Sequence, residues 1–214
     1  LLTLADRDAI LVKTGLPAQP VNLAALTGCR ASDQGCNYNN GGYGPPTLTL
    51  PDELGTIAIE RGYLAVDVTV RGRDYRVFNT HLEQRLLSPS QPQTRLLQVM
   101  QAYELLGTTW APMPSPRHVI VLGDFNSDPA DLPIVFPGPT TYPTPYQVFA
   151  LSGFTDAWLM RPQGTIGNSC CQAADLLNFR SELYERIDLI FSLTPPRRVV
   201  DMKLIGATMG DKTR

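Results

Sequence analysis

The residues best suited to chemistry lie in the stretch 118–128, HVIVLGDFNSD. Asp124 and Asn126 stand two residues apart, directly after an apolar run at 119–122 and Gly123. That run reads as a short strand buried on both faces. If the backbone stays extended past Gly123, both side chains leave the strand end on the same side. A carboxylate and an amide on a rigid strand end suit the holding of a cation, a water or a phosphate oxygen. The same string also suits a plain turn, because Gly, Asp, Asn, Ser and Pro129 are all turn formers. Two further polar side chains stand out. His81 closes the β-rich segment DYRVFNTHLE, where an imidazole either meets an anion or caps the strand by bonding a neighbouring backbone group. Asp188 interrupts the apolar run ERIDLIFS, and a carboxylate there is costly unless it has a partner or a task.

The elements that must position these residues follow from the pattern. Residues 5–13, ADRDAILVK, read as a strand. Residues 14–55 are crowded with Gly, Pro and Asn and read as a long, mostly irregular surface insertion bordering a site. TIAIE, YLAVDVTVRG and DYRVFNTHLE are β-rich, and Arg71, Gly72, Arg73 and Asp74 supply a turn that makes the last two an antiparallel hairpin. After a Ser- and Pro-rich break at 88–92, Leu96, Val99, Met100, Tyr103 and Leu106 recur at helical spacing, with Gly107 as the expected stop. Their stripe is core against a sheet. PMPSPR bridges to the strand at 118–123. Residues 129–147 read as another irregular loop, in which Tyr142 and Tyr146 either line a pocket or simply pack. FTDAWL at 154–159 reads as a helix end or short turn, with Asp156 either a site neighbour or, as favoured, its cap. Residues 173–183 carry local turns. ERIDLIFS gives a strand, and RVVDMKLI at 198–205 alternates well enough for a last one.

A chain of 214 residues is long enough for one good core, and a single domain is expected. The formal charge is −2 and Lys and Arg form no block, which argues against a large basic face for nucleic acid. No long apolar run suggests a membrane span, and the first residues lack a basic leader. The four cysteines form two local groups, Cys29 with Cys36 and the vicinal Cys170 and Cys171. Cys29 and Cys36 flank a loop with little apolar content, where a disulfide would help an exported protein; this favours a secreted or periplasmic location over a cytoplasmic one. Structural pairing or burial as free thiols is expected rather than zinc, because His81 and His118 lie far from these cysteines in sequence.

NTHLE at 79–83, GDFNSDP at 123–129 and RIDLIF at 186–191, in that order and with a helix between the first two, resemble the endonuclease/exonuclease/phosphatase superfamily of DNase I-like proteins. The resemblance covers about residues 5–205. CCQAADLLN, just before RIDLIF, also looks like bacterial members of unassigned substrate. It implies an α/β four-layer sandwich, two mostly antiparallel sheets face to face with helices outside. It also implies hydrolysis of a phosphodiester or phosphomonoester by in-line attack of water, with Mg²⁺ as cofactor and Mn²⁺ or Ca²⁺ as substitutes. By resemblance, His81 bonds a non-bridging phosphate oxygen and Asp124 orients or deprotonates the water and touches metal. Asn126 holds phosphate, nucleophile or metal, and Asp188 orients a neighbouring catalytic group. The implied partner is a phosphate ester, whether nucleic acid, nucleotide, lipid head group or inositol phosphate, met by a monomer. Family members carry an upstream Asn and a metal-binding Glu, and a downstream Ser-Asp-His, that this chain does not show. Glu53, Glu60 and Glu83 are candidate substitutes for the Glu. A domain trimmed at both ends is the expectation, and the competing class is an inactive sandwich module that binds a phosphorylated ligand or a protein.

Overall fold

In the computed structural model, residues 7–49, 55–85, 93–112, 117–135, 140–161, 166–173, 175, 177–178 and 180–207 are described. Glu53 and the break at 88–92 lie outside them, as does most of PMPSPR. The elements in chain order are β1 (Ala18–Pro20), α1 (Leu23–Thr27), β2 (Arg30–Ala31), β3 (Cys36–Asn37), β4 (Thr47–Thr49), β5 (Thr56–Ala58), β6 (Gly62–Val70), β7 (Arg73–His81), α2 (Gln93–Thr109), β8 (His118–Asp124), β9 (Ile134–Val135), β10 (Thr141–Tyr142), α3 (Pro145–Leu151), β11 (Thr155–Asp156) and β12 (Asp188–Ser192). Eight strands form one sheet in the order β11-β12-β8-β7-β6-β3-β2, with β1 also on β6; β4–β5 and β9–β10 are separate two-stranded ribbons. β7 and β8 are parallel and the other pairs antiparallel.

The mixed α/β class is the one the sequence implies. The β6–β7 hairpin turns at Arg71 and Gly72, which have φ 51° and 74°. Two consecutive positive φ values match the right-handed twist of the strands that the turn joins. The parallel β7–β8 pair needs a crossover, and α2 provides it. One face of the sheet then buries Phe78, Val119, Val121, Leu189 and Phe191 against Val99, Ala102, Leu105 and Leu106 of α2 and Val148 and Phe149 of α3. Phe125, Phe149, Phe154 and Phe191 meet edge-on or stacked, with centroids 5.2–5.4 Å apart. The opposite face carries Val77, Ile120 and Leu122, half-buried, and Ile190, 40% exposed. A second sheet of a four-layer sandwich would pack there; among the described residues the only large sheet is the eight-stranded one.

Several local expectations need correction. Residues 7–13 pair with no strand among the described residues; Asn79 Nδ2 of the sheet donates to the Ala9 carbonyl at 3.1 Å. Residues 198–205 are likewise without strand pairing, because alternation alone supplies no neighbour to bond. The insertion at 14–55 holds β1 to β4 and α1, capped by the Asn22 side chain and closed by Gly28 at φ 68°. Residues 129–147 hold β9, β10 and the start of α3, whose Thr144 and Gln147 form a capping box. α2 runs through Gly107 to Thr109, and its stripe is rotated from the apolar count, with Tyr103 50% exposed and Gln98 and Gln101 buried. Cys29 and Cys36 are disulfide-bonded, as are Cys170 and Cys171. No helix among the described residues is long and apolar enough to cross a membrane.

Candidate active site

Strand register brings the separated polar residues together. His81 is the parallel partner of Asp124, and Asp124 is the antiparallel partner of Asp188. Three adjacent strands therefore end in a row of imidazole, carboxylate and carboxylate, at the spacing at which cross-strand side chains interact. His81 Nε2 lies 3.6 Å from Asp124 Oδ2. Both side chains are partly open, at 26% and 28% exposure, although the His81 Nε2 atom itself is buried.

Gly123 shapes this end of β8. Its φ of +138° is open only to glycine, and a Cβ there would collide with the Thr80 carbonyl. The strand stops at Asp124, and Asn126 takes a left-handed turn at φ 46°. Asp124 and Asn126 therefore do not project as alternate residues of one extended strand. The turn links them differently: the Asn126 backbone N–H donates to Asp124 Oδ1 at 2.8 Å, and Asn126 Nδ2 donates to the Leu82 carbonyl at 2.9 Å. The turn reading of GDFNSD therefore holds, and the turn places Asp124 and Asn126 side by side at the end of β8.

Asp188 departs from its expected setting. It is exposed, because it is the first residue of β12 and sits at the sheet's rim rather than in the interior. Its backbone N–H donates to Ser169 Oγ at 3.1 Å, which anchors the strand start. Its carboxylate has no hydrogen-bond or ion-pair partner among the described residues, and at the rim solvent removes the burial cost that would have required one.

A layer of residues that carry no chemistry pattern in the sequence holds the three strand exits. Gln98 Nε2 donates to the Glu83 and Asn126 carbonyls at 2.9 and 2.6 Å, and Gln101 Oε1 accepts the Glu83 N–H at 2.7 Å. The signal available was their i, i+3 spacing on α2, but a count of apolar residues passes over glutamine. Arg85 bridges Asp131 and Glu185, joining the exits of all three motifs. Asp128 accepts the Arg186 N–H at 2.6 Å and the Ala130 N–H at 2.7 Å. Beneath them, Arg186 and Asp156 form an ion pair of 2.6 Å with side chains 4% and 2% exposed. Asp156 also caps the turn at 157–160 through the Trp158 N–H, so its cap role and its place next to the site coexist. Tyr146 donates to Asp156 at 3.2 Å; burial first, then the Asp156 charge, raises its phenol above the ordinary range. That phenol and its ring, which lies 5.5 Å from Phe191, are packing.

The oxygen donors at the rim, Asp124, Asp188 and Asn126 Oδ1, are hard ligands of the kind Mg²⁺, Mn²⁺ or Ca²⁺ accept, and Mg²⁺ commonly takes only one or two carboxylates and completes its shell with water and phosphate. They suit such an ion without forming a closed cage. Among the described residues, the one group of three potential ligand atoms lying mutually within 4.8 Å is Cys170, Cys171 and Glu185, where both sulfurs are tied up in the disulfide. Of the substitute carboxylates, Glu60 is spent on Arg30 and Asn37. Glu83 is 4% exposed and faces Arg61, with Oε1 4.0 Å from Nε.

No protein-family model matches this chain, and no curated protein matches it in sequence. Solved structures of endonuclease/exonuclease/phosphatase proteins do resemble it over part of its length. A β-hairpin deletion mutant of the beta toxin of Staphylococcus aureus is 16% identical, with a TM-score of 0.44 over 66% of this chain and 48% of the toxin. An endonuclease/exonuclease/phosphatase family protein of Leptotrichia buccalis is 17% identical, with a TM-score of 0.39 over 63% and 42%. That of Beutenbergia cavernae is 23% identical, with a TM-score of 0.41 over 64% and 33%. The chain thus matches about half, or less, of the length of these structures.

Proposed function

We propose that the row His81, Asp124, Asp188 is the hydrolytic site of a divalent-metal-dependent phosphoesterase. The observation that carries this reading is the register. Residues from three distant segments, each a polar exception in an otherwise β-rich stretch, become neighbours on adjoining strand ends, with the imidazole 3.6 Å from the central carboxylate. A scaffold has no need of two adjacent acids at one rim, since like charges side by side destabilise it.

In this reading Asp124 orients the attacking water and takes its proton. The water oxygen bonds phosphorus, and the ester oxygen leaves with the bonding electrons and is protonated. His81 Nε2–H donates to a non-bridging oxygen as charge grows there, a contribution of the oxyanion-hole kind. Asn126, fixed through its Nδ2 and backbone N–H, keeps Oδ1 for the water or the cation. Asp124, Asp188 and Asn126 would hold Mg²⁺, which would neutralise phosphate charge. A domain of the endonuclease/exonuclease/phosphatase kind spanning residues 1–214 is the unit proposed, acting as a monomer on a phosphate ester.

The test is hydrolysis of bis-p-nitrophenyl phosphate, plasmid DNA, sphingomyelin and inositol phosphates, each with Mg²⁺ and with chelator. Mg²⁺-dependent turnover that Asp124→Ala removes is the expected result. Binding of a phosphorylated ligand without turnover, in a protein whose reading frame also lacks the upstream Asn and Glu and the downstream Ser-Asp-His, would replace the enzyme with the binding module.

A further inference from the structure

We infer that Arg61 is a positioning residue for His81, one that fixes the imidazole in its Nε2–H tautomer and so aims a proton donor at the site. This rests on the reading of His81 as the group that meets the phosphate. Arg61 immediately precedes β6, and its Nη1 lies 2.8 Å from His81 Nδ1. A guanidinium has donors only and keeps its charge at any pH a protein survives. In that contact Nδ1 must be the acceptor. A neutral ring then carries its proton on Nε2, the nitrogen facing Asp124 Oδ2 at 3.6 Å. The other tautomer would set N–H against N–H.

Arg61 is built to hold this position. Its residue is 8% exposed, and its carbonyl accepts the Tyr38 N–H at 3.0 Å. A guanidinium so buried needs a counter-charge. Glu83, two residues beyond His81 and equally enclosed, provides it. Glu83 in turn is held at its backbone by Gln101 and Gln98. A line of polar groups therefore runs from Glu83 through Arg61 and His81 to Asp124: carboxylate, guanidinium, imidazole and carboxylate. It gives Glu83 a place in the site as the anchor of the anchor. In free imidazole the two tautomers are close in energy, so a single fixed donor is enough to select one, and the wrong tautomer disables catalysis where a histidine must present a particular nitrogen.

Nitrogen-15 NMR reads tautomers directly, and this chain has only two histidines, His81 and His118. A ring-labelled sample gives two ring patterns, and His81→Asn identifies which is which. The wild-type spectrum is expected to show His81 with Nδ1 unprotonated and the proton on Nε2. Arg61→Met, which keeps bulk and loses the donors, should populate both tautomers and lower kcat on bis-p-nitrophenyl phosphate with Mg²⁺ by about 10- to 100-fold, with KM little changed. Arg61→Lys, which retains a donor, should keep the Nε2–H pattern and recover much of the rate. A proton on Nδ1 in the wild type overturns the inference, as does an unchanged His81 pattern in folded Arg61→Met. If Arg61→Met does not fold, the wild-type and Arg61→Lys spectra decide the matter. A wild type that hydrolyses no probe defeats the phosphoesterase reading, while the tautomer is still decided by the spectrum.

Discussion

The two ends of the β6–β7–β8 sheet use similar residues to opposite effect. At one end Asp67 is held by Arg76 through two bonds of 2.8 and 3.0 Å and by Arg117 at 3.2 Å, and Asp74 accepts from Thr69 at 2.6 Å. A cavity of about 360 Å³ opens there, lined by Asp67, Thr69, Asp74 and Arg117 among others. At the other end stand His81, Asp124 and Asp188, with Arg61 Nη1 against the imidazole at 2.8 Å. At the first end Asp67 is matched by Arg76 from the neighbouring strand and by Arg117 just before β8, and at the second two carboxylates adjoin at the rim, with Asp188 lacking an ion-pair partner among the described residues. The cavity goes with the satisfied end. What marks the candidate site is therefore an imidazole and two carboxylates set side by side on rigid strand ends, away from this cavity.

Experiments can break this contrast or sharpen it. The largest effect is expected from Asp124→Ala, which should lower Mg²⁺-dependent hydrolysis about a thousandfold and leave the thermal midpoint close to that of the wild type. A variant that turns over normally would remove Asp124 from the reaction. At the satisfied end, Arg76→Ala strips a buried cation from Asp67 and should cost about 3 kcal/mol in urea unfolding, near the low end for such pairs because Arg117 remains. Its kcat should stay within about twofold, and a collapse of rate without loss of stability would erase the distinction between the two ends. His81→Ala should slow hydrolysis about a hundredfold with little change in stability, and a near-normal rate would return the imidazole to capping.

The smallest effect concerns Glu104, which accepts the Asn39 N–H at 2.9 Å on the flank of α2. Desolvation raises its carboxyl above the ordinary 4.5, against the pull of its backbone donors. A raised value means that the folded state holds the proton more tightly than the unfolded chain. This contribution is therefore full in acid and is lost as pH rises from about 4.5 through the folded value. Glu104→Gln should flatten that decline by about 1 °C in thermal midpoint across the window. A slope equal to that of the wild type would show that the carboxyl is better solvated than its surroundings suggest.

Legibility in the sequence followed the range of the interactions concerned. The β6–β7 hairpin could be read because Arg71 and Gly72 are a local turn signal, and α2, β8 and β12 because their apolar patterns are local too. The four candidate site residues were visible as polar exceptions in those patterns. Strands at 5–13 and 198–205 were over-read, since a strand needs a partner that its own residues do not name. Gln98, Gln101, Arg85 and Arg61 were passed over because each acts on a segment 15 to 100 residues away and lies outside any apolar period.

By itself, the sequence determined which side chains are available for chemistry and where the β6–β7 hairpin, α2, β8 and β12 form, because those follow from residue type and near neighbours. Only the tertiary structure decided that β7, β8 and β12 adjoin with His81, Asp124 and Asp188 in one row, and that the buried Arg61 lies against His81 Nδ1. Register and hydrogen-bond direction are properties of paired strands and packed side chains, and no single stretch of chain contains them.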